Sequence, residues 1–266
     1  MAHHTTILVE ETEVEAGRIL TITLNRPQRR NALTSAMIHE LTLAFRTAED
    51  SRAGLVVLRG AGDHFCSGLD LCELRAMTGR TMDEHLRDSM NIAELFRTLY
   101  SLSLPSIAEV RGAALAGGMG LATLCDFTFA SEDARFGYTE VKIGFVPAIV
   151  SSFLLLQLGE KQARDLLLTG RIIDAAEAHT LGLITKAVPA AELDGTVNEL
   201  TTSLLANSPC SMRATKHLLH RQEIERLSRN LRAAVAINAE LRATDDFREG
   251  INAFLEKRKP IWPSRC

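Results

Sequence analysis

The sequence has little of what marks a secreted, metal-binding or membrane-spanning protein. Its five cysteines in 266 residues are too few and too scattered for a disulfide framework, and no CxxC pair or His/Cys cluster has zinc-site spacing. No apolar run approaches the roughly 18 residues that cross a bilayer, and the first residues lack the basic and apolar regions of a signal peptide. We therefore expect a cytoplasmic protein with free thiols, no metal and no membrane association. His3 and His4 are assigned no role.

Excess charge of either sign is also missing. The chain has 30 Lys and Arg against 33 Asp and Glu, for a formal net charge of −3, which argues against a dedicated nucleic-acid binder. Neither GxxxxGK[ST] nor GxGxxG occurs in register, so bound ATP or NAD is not expected. Hydrophobic residues make up 46% of the chain, as in an ordinary globular protein with a sizeable core.

The apolar pattern predicts an α/β protein. Residues 7–25 alternate around a polar break like a β-hairpin, and residues 31–48 have helical apolar spacing. The order strand, glycine-rich turn and helix then repeats, which indicates helices covering a sheet. From about residue 195 the spacing is helical throughout. We therefore divide the chain into a core at 1–195 and a helical C-terminal subdomain at 196–266.

Two glycine-rich segments carry the strongest functional signal. FCSGLDL at 65–71 and VRGAALAGGMGLATLCD at 110–126 both place glycine where an apolar segment breaks and a helix could begin. Backbone N–H groups are unpaired at such points, so donors from two segments could converge on one oxygen. An oxyanion hole is built in this way. Glycines among small residues can equally serve only close packing of a helix against a strand.

These segments, taken together, resemble the crotonase (enoyl-CoA hydratase/isomerase) family. The resemblance implies a spiral of ββα repeats followed by a helical region that covers the active site and mediates assembly into homotrimers or homohexamers. It also implies that the backbone N–H groups of Leu69 and Gly117 hold the thioester carbonyl of an acyl-CoA and stabilise the enolate formed from it. The similarity continues through LNRPQRRNAL at 24–33, RFGYTEVKIGFVPA at 135–148, GEKQARDLLLTGRIIDAAEAHTLGLI at 159–184, NSPCSMRATK at 207–216 and REGINAFLEKRKPIW at 248–262.

The resemblance identifies one catalytic carboxylate. Hydratases of the family use two glutamates, and the first of those positions is Gly120 in this chain. The second is Glu140, in FGYTEVKIG, where apolar neighbours such as Phe136 and Ile143 would exclude water. A carboxylate in an apolar pocket titrates nearer neutrality and can act as both base and acid.

One glutamate leaves three functions open. A subset of hydratases resembling the methylglutaconyl-CoA type also has glycine at position 120, and shares the TEV tripeptide and the ending AFLEKRKPIW. We therefore expect hydration of a 2-enoyl-CoA, with Glu140 as base for water and either bound water or the same carboxylate returning the proton. A Δ3,Δ2-enoyl-CoA isomerase, which needs a single proton shuttle, is the alternative. The third possibility is a non-catalytic acyl-CoA-binding or RNA-associated protein.

Coenzyme A is part of the proposed substrate, and no separate cofactor is expected. Its phosphates call for cations, and the resemblance assigns this role to Arg26 and Lys257, with Phe254 against the ligand. Backbone groups around Ser67 and Gly68 would meet its adenine and pantetheine.

Five further residues receive roles from their positions. Gly118 and Asp70 are placed in the substrate-binding set, although Asp70 more plausibly caps the helix that follows it. Tyr138 could donate to substrate or only pack. His64 is expected to be an exposed turn residue, and Asp126 to make structural hydrogen bonds. The segment 73–104 is expected to form a mobile cover over the acyl pocket.

Overall fold

The computed structural model describes residues 4–263. The chain opens with an antiparallel hairpin of β1 (Ile7–Val14) and β2 (Gly17–Leu24), which confirms the prediction from the alternating pattern. Helix α1 (Ser35–Glu49) follows, capped by the Thr34 side chain, which accepts a hydrogen bond from the backbone N–H of Met37. Its buried face matches the predicted helical spacing.

As far as residue 188, one or two strands are followed in turn by one or two helices. The later strands are β3 (Leu55–Gly60), β4 (Ser106–Val110), β5 (Ala113–Leu115), β6 (Phe127–Ser131), β7 (Arg135–Gly137), β8 (Ile173–Asp174) and β9 (Lys186–Val188). The later helices are α2 (Leu71–Ala76), α3 (Met82–Tyr100), α4 (Gly117–Leu124), α5 (Ala148–Gln157), α6 (Glu160–Thr169), α7 (Ala175–Thr180), α8 (Leu193–Leu205), α9 (Pro209–Leu241) and α10 (Asp245–Leu255).

The strands form two sheets. The larger has the order β1-β2-β3-β4-β6-β9, and every pair after the hairpin is parallel. The smaller, β5-β7-β8, pairs β5 with β7 in parallel and β7 with β8 antiparallel. Because parallel neighbours need crossover connections, helices are carried onto the sheet faces. The predicted α/β fold is confirmed.

Each face of the larger sheet has its own apolar core. One face packs Leu58 of β3 against α1 and α3, whose Phe45 and Phe96 are fully buried. On the other face, Val57 of β3 packs in one apolar cluster with Val197 of α8. The predicted boundary at residue 195 falls inside α8, and the division of the chain into two units stays a prediction.

The C-terminal helices lie against the elements that will form the site. Helix α9 packs along α3 and α5, and α10 packs against a short 3-10 helix at Glu140–Ile143. We predicted a mobile cover at residues 73–104. That prediction is wrong for α3, which packs Leu95, Phe96 and Leu99 into the core. Within residues 4–263, no helix is both long and apolar enough to cross a membrane.

Candidate active site

A cavity of about 570 Å³ lies between the two glycine-rich segments and the helices that cover them. Its wall is mainly apolar, and helices α3, α5, α9 and α10 all contribute to it. The apolar side chains that line it include Leu33, Leu74, Ile92, Phe96, Phe145, Ile149 and Val150. Such a pocket suits a long apolar ligand with a few polar groups.

In the first glycine-rich segment, the backbone N–H of Leu69 has no hydrogen-bond partner among the described residues. Leu33 pairs with this segment through both of its own backbone groups: its N–H donates to Gly68 O (2.8 Å), and its carbonyl accepts from Asp70 N (2.9 Å). In this parallel bridge, the N–H of Leu69 points away from Leu33. Leu69 lines the cavity, so the segment offers one main-chain donor there.

The second segment supplies the start of a helix. Ala116 has φ 50° and ψ −124°, a conformation that is strained for a residue with a side chain, and its N–H donates to Gly137 O (2.7 Å). This bend turns β5 directly into α4. Gly117 is the first residue of α4, so its N–H has no partner within the helix, and the helix dipole favours negative charge there.

The two segments touch each other. Gly68 has φ +89°, and a methyl group in place of its hydrogen would lie 2.7 Å from Ala116 Cβ and 3.5 Å from Gly117 N. Glycine is therefore required at position 68 both by backbone conformation and by space. Leu69 and Gly117 line the same cavity, so two main-chain donors can meet one ligand oxygen.

Glu140 is a buried carboxylate that lines this cavity. It begins the 3-10 helix, is 8% exposed, and its Oε2 has no hydrogen-bond partner among the described residues. Burial raises its pKa to about 7, and a hydrogen bond from its own backbone N–H opposes that rise. Near neutral pH the group is therefore present in both protonation states and can accept or donate a proton.

No second carboxylate can stand at position 120 in this packing. A methyl group on Gly120 would lie 2.6 Å from Phe96 Cε1 and 2.8 Å from Val150 Cγ1. These two apolar side chains line the cavity where a longer residue at 120 would project.

Comparison with known proteins agrees with this geometry. The sequence model described as "Enoyl-CoA hydratase/isomerase" matches residues 14–265. The chain belongs to the enoyl-CoA hydratase/isomerase family. The chain is 43% identical to a Thermus thermophilus protein provisionally named an enoyl-CoA hydratase, over 93% of this chain and 98% of the relative. It is 33% identical to a short-chain-enoyl-CoA hydratase of Clostridium acetobutylicum, over 91% and 93%.

Solved structures of the family share the fold. A crystal structure of an enoyl-CoA hydratase from Mycobacterium avium has a TM-score of 0.83 at 35% identity and covers 95% of this chain and 98% of its own. An enoyl-CoA hydratase/isomerase from Xanthobacter autotrophicus Py2 has a TM-score of 0.87 at 30% identity, covering 98% and 100%. The crotonase fold expected from the sequence is thereby confirmed.

Six of the predicted site residues of this family member line the cavity. They are Ser67, Leu69, Asp70, Gly117, Glu140 and Phe254. Asp70 is also the cap of α2, as expected, since its Oδ1 accepts from the N–H groups of Cys72 (3.0 Å) and Glu73 (3.4 Å). Phe254 is 60% exposed, at the rim of the cavity.

The two cations predicted to bind coenzyme A, Arg26 and Lys257, lie outside the cavity lining. The guanidinium of Arg26 pairs with Asp70 Oδ2 (3.0 Å) and donates to Ala32 O (2.6 Å), so Arg26 ties the loop before α1 to the first glycine-rich segment. Lys257 is exposed just after α10. Neither residue is part of the cavity lining.

Three other predicted residues support the walls from behind. Gly118 packs directly on the carbonyl of Cys66, where a methyl group would lie 2.2 Å from that oxygen. Gly68 holds the two segments in contact, as described above. Tyr138 is buried, with its hydroxyl 3.5 Å from Thr123 Oγ1, and burial raises the pKa of this hydroxyl above its ordinary value.

His64 and Asp126 have structural roles. His64 is half-buried, and its Nδ1 accepts from the N–H of Ala113 (3.2 Å), which corrects the expectation of an exposed turn residue. Asp126 accepts from the backbone N–H and hydroxyl of Ser106 (2.7 and 2.8 Å) and pairs with Lys216 Nζ (2.5 Å), which confirms the expected structural hydrogen bonding. Cys66, Cys72, Cys125 and Cys210 are free thiols, and Cys266 lies outside the described residues.

Five polar residues that line the cavity were not among the predicted site residues. Three are cations, Arg29, Arg30 and Lys142, and two are uncharged, Thr139 and Asn238. The double arginine of PQRRN, which begins two residues after the loop proline, was a usable signal for Arg29 and Arg30. Asn238 lies in the middle of the long helix α9, and its position relative to the cavity cannot be read from local pattern.

Proposed function

We propose that the chain hydrates a 2-enoyl-CoA thioester. The observation that carries this proposal is the presence, in one apolar cavity, of a buried carboxylate at Glu140 and of main-chain donors at Leu69 and Gly117. The names of the relatives, which include hydratases at 33 to 43% identity, support the same reaction class.

The proposed reaction uses the donors and the carboxylate in turn. The thioester oxygen accepts hydrogen bonds from the N–H groups of Leu69 and Gly117, which stabilise the negative charge that develops on it. Ionised Glu140 takes a proton from water as the water oxygen bonds to C3, and the electron pair of the C2–C3 double bond moves onto the thioester oxygen as an enolate. The protonated Glu140 then gives its proton to C2. One water has been added across the double bond, and Glu140 is ionised again.

Coenzyme A would be held at the rim. Arg29, Arg30 and Lys142 line the cavity and can meet the phosphates, while Phe254 offers an exposed ring to the adenine or pantetheine. Lys257 lies nearby in sequence and remains a proposed contact. In this proposal coenzyme A enters with the substrate and no other cofactor is required.

Isomerisation is the second candidate, favoured by Gly120. Phe96 and Val150 occupy the space around it, so the position of the second glutamate of the family hydratases holds no carboxylate. One proton shuttle is enough to move a double bond from the 3 to the 2 position. Purified protein with crotonyl-CoA should lose the absorbance of the conjugated thioester if it hydrates. With 3-hexenoyl-CoA, a gain of that absorbance as the principal activity would favour the isomerase.

A panel of substrates and one variant separate the remaining possibilities. If Glu140→Gln has the same turnover as the wild type, Glu140 has no catalytic role and the proposed mechanism fails. If neither protein has turnover while both bind acyl-CoA, the non-catalytic alternative is favoured. The methylglutaconyl-CoA subtype stays a prediction, and a carboxylated enoyl-CoA in the panel tests it directly.

We also propose self-association into a trimer or hexamer. Helix α9 exposes Leu218 and Leu219, and the C-terminal segment exposes Ile261 and Trp262, all more than 40% accessible. Exposed apolar side chains of this size are typical of surfaces that bind another protein chain. Light scattering of the purified protein measures the assembly. A monomer at micromolar concentration would contradict it.

A further inference from the structure

A buried polar cluster lies behind the apolar end of the cavity. It consists of Asp88 and Ser89 on α3, Asn238 on α9 and Arg242 just after α9. Arg242 is 1% exposed, its Nη1 pairs with Asp88 Oδ2 (2.5 Å), and its guanidinium lies 5.6 Å above the ring of Phe145. Phe145 and Asn238 both line the cavity, so the cluster adjoins it.

The hydrogen bonds of the cluster fix the orientation of the Asn238 amide. Its Oδ1 accepts from Ser89 Oγ (2.8 Å) and from Arg242 Nε (3.3 Å). A guanidinium has only donors, so the atom facing it must be the amide oxygen. The Nδ2 group is therefore the polar atom that Asn238 has left for a ligand, and no acceptor for it is recorded within residues 4–263.

The distance from the Gly117 donor to Asn238 can be estimated along α3. The Phe96 ring lies beside Gly117, with Cζ 3.8 Å from where a methyl group on that glycine would stand. Ile92 lines the cavity one turn earlier, and Ser89, which holds Asn238, lies about one turn earlier still. Seven helical residues span about 10 Å, which an extended chain covers in roughly 8 bonds. Asn238 thus meets the far part of an acyl group rather than the thioester.

We infer that Asn238 is a specificity-determining residue that selects acyl groups with an uncharged oxygen acceptor, such as a hydroxyl, near the far end of the chain. This rests on the proposed function, since it requires an enoyl-CoA whose thioester lies at Leu69 and Gly117. A plain hydrocarbon chain would cover the amide N–H of Asn238, a residue that is 4% exposed, without offering it an acceptor, and that loss disfavours the hydrocarbon.

The charges of the cluster favour a neutral group. Asp88 already balances Arg242, so a terminal carboxylate would bring an uncompensated charge into a site with almost no solvent. The Nη2 atom of Arg242 is buried without a partner among the described residues, which leaves donor capacity in the cluster but no net positive charge. The cluster therefore distinguishes between acyl groups by donating a hydrogen bond to an oxygen of the acyl chain.

Pairs of substrates with equal chain volume test the inference. For chains of roughly 6 to 8 carbons, each ω-hydroxy-2-enoyl-CoA is compared with the alkyl 2-enoyl-CoA in which methyl replaces hydroxyl. We expect wild-type kcat/KM to favour the hydroxyl member of at least one pair by about 3- to 10-fold. A ω-carboxy member is expected to fall below the hydroxyl member.

Asn238→Asp provides the variant arm. It keeps an oxygen toward Ser89 and Arg242 but replaces the free donor with an acceptor. Because a substrate hydroxyl can donate to that acceptor, this arm uses a 2-enoyl-CoA with a ketone carbonyl near the end of the chain, which can only accept. The wild type should prefer this ketone to the alkyl chain, and Asn238→Asp should not. Asn198→Asp, an exposed position on α8 with the same change in charge, should keep the wild-type ratio. The ratio of two substrates on one protein is insensitive to the fraction folded, and the wild-type ratio tests the inference even if Asn238→Asp does not fold.

The outcomes separate this inference from the proposed function. Hydration of crotonyl-CoA without a hydroxyl preference in any pair, or with a preference for the carboxylate, overturns the inference and leaves the proposed function intact. Retention of the ketone preference in Asn238→Asp also overturns it. Failure to hydrate any enoyl-CoA, crotonyl-CoA included, overturns both.

Discussion

Cε1 of the Phe96 ring lies 2.6 Å from the position that a methyl group on Gly120 would occupy. Real side chains do not approach this closely, so the packing of α3 on α4 depends on glycine at this position. Val150 of α5 closes the same space at 2.8 Å. A carboxylate at position 120 would therefore need changes in two other helices as well, because Phe96 of α3 and Val150 of α5 occupy its space.

Gly120→Ala should destabilise the protein in spite of the better helix propensity of alanine. Overpacking against Phe96 and Val150 costs about 1 to 3 kcal/mol, against a propensity gain of up to about 1 kcal/mol. Gly195→Ala is the matched control, since Gly195 lies within α8 with nothing within 4 Å of the added methyl group. It should raise the free energy of unfolding, measured with denaturant. Equal effects of both substitutions would contradict the packing argument.

Glu140→Gln should reduce kcat/KM for a 2-enoyl-CoA by about 100- to 10,000-fold, the usual contribution of a general base. In the wild type, kcat/KM should rise with pH through about 7, because the base form of Glu140 accumulates there. Glu132→Gln, at an exposed position, should keep both the rate and the profile. A wild-type profile that is flat between about pH 5.5 and 8.5 would contradict the assignment of Glu140 as the base.

The same substitution should stabilise the fold at alkaline pH. The pKa of Glu140 is about 7 in the folded protein against an ordinary 4.5, so between these values the folded state holds a proton that the unfolded state releases. Wild-type stability therefore falls as pH rises from about 4.5 to 7, and the loss is on the order of 3 kcal/mol. Denaturant unfolding of Glu140→Gln and wild type should agree near pH 4.5, separate between about pH 4.5 and 7, and stay apart above pH 7. A constant difference would argue against a raised pKa.

Some parts of the site could be predicted because their signals are local. The free amides of Leu69 and Gly117 follow from glycines at the ends of apolar runs, and the cap at Asp70 follows from its place before α2. Asn238 gave no such signal, since its partner Ser89 lies 149 residues away in the chain. Whether Arg26 points into the cavity or into an ion pair with Asp70 likewise depends on tertiary packing.

Arg26→Met should act on stability and Arg29→Met on binding. The guanidinium of Arg26 bonds to Asp70 and Ala32, and its loss leaves both partly unpaired, at a cost of about 1 to 3 kcal/mol. Arg29 lines the cavity rim, so its loss should raise KM for an acyl-CoA several-fold while the free energy of unfolding changes by less than about 0.5 kcal/mol. The reverse assignment, with KM sensitive only to Arg26, would show that Arg26 leaves its ion pair to bind the substrate.

Gly68→Ala tests the contact between the two glycine-rich segments. Position 68 has φ +89°, and the added methyl group would meet Ala116 Cβ at 2.7 Å, so the segment must shift and move the Leu69 amide with it. Displacing one donor of this kind costs about 100- to 1,000-fold in kcat. Gly182→Ala shares the backbone penalty, with φ +80°, but has nothing within 4 Å. Both variants should unfold at lower denaturant concentration than wild type, and only Gly68→Ala should lose activity. If Gly182→Ala loses as much activity, the effect comes from general destabilisation, and the contact between Gly68 and Ala116 has no separate catalytic importance.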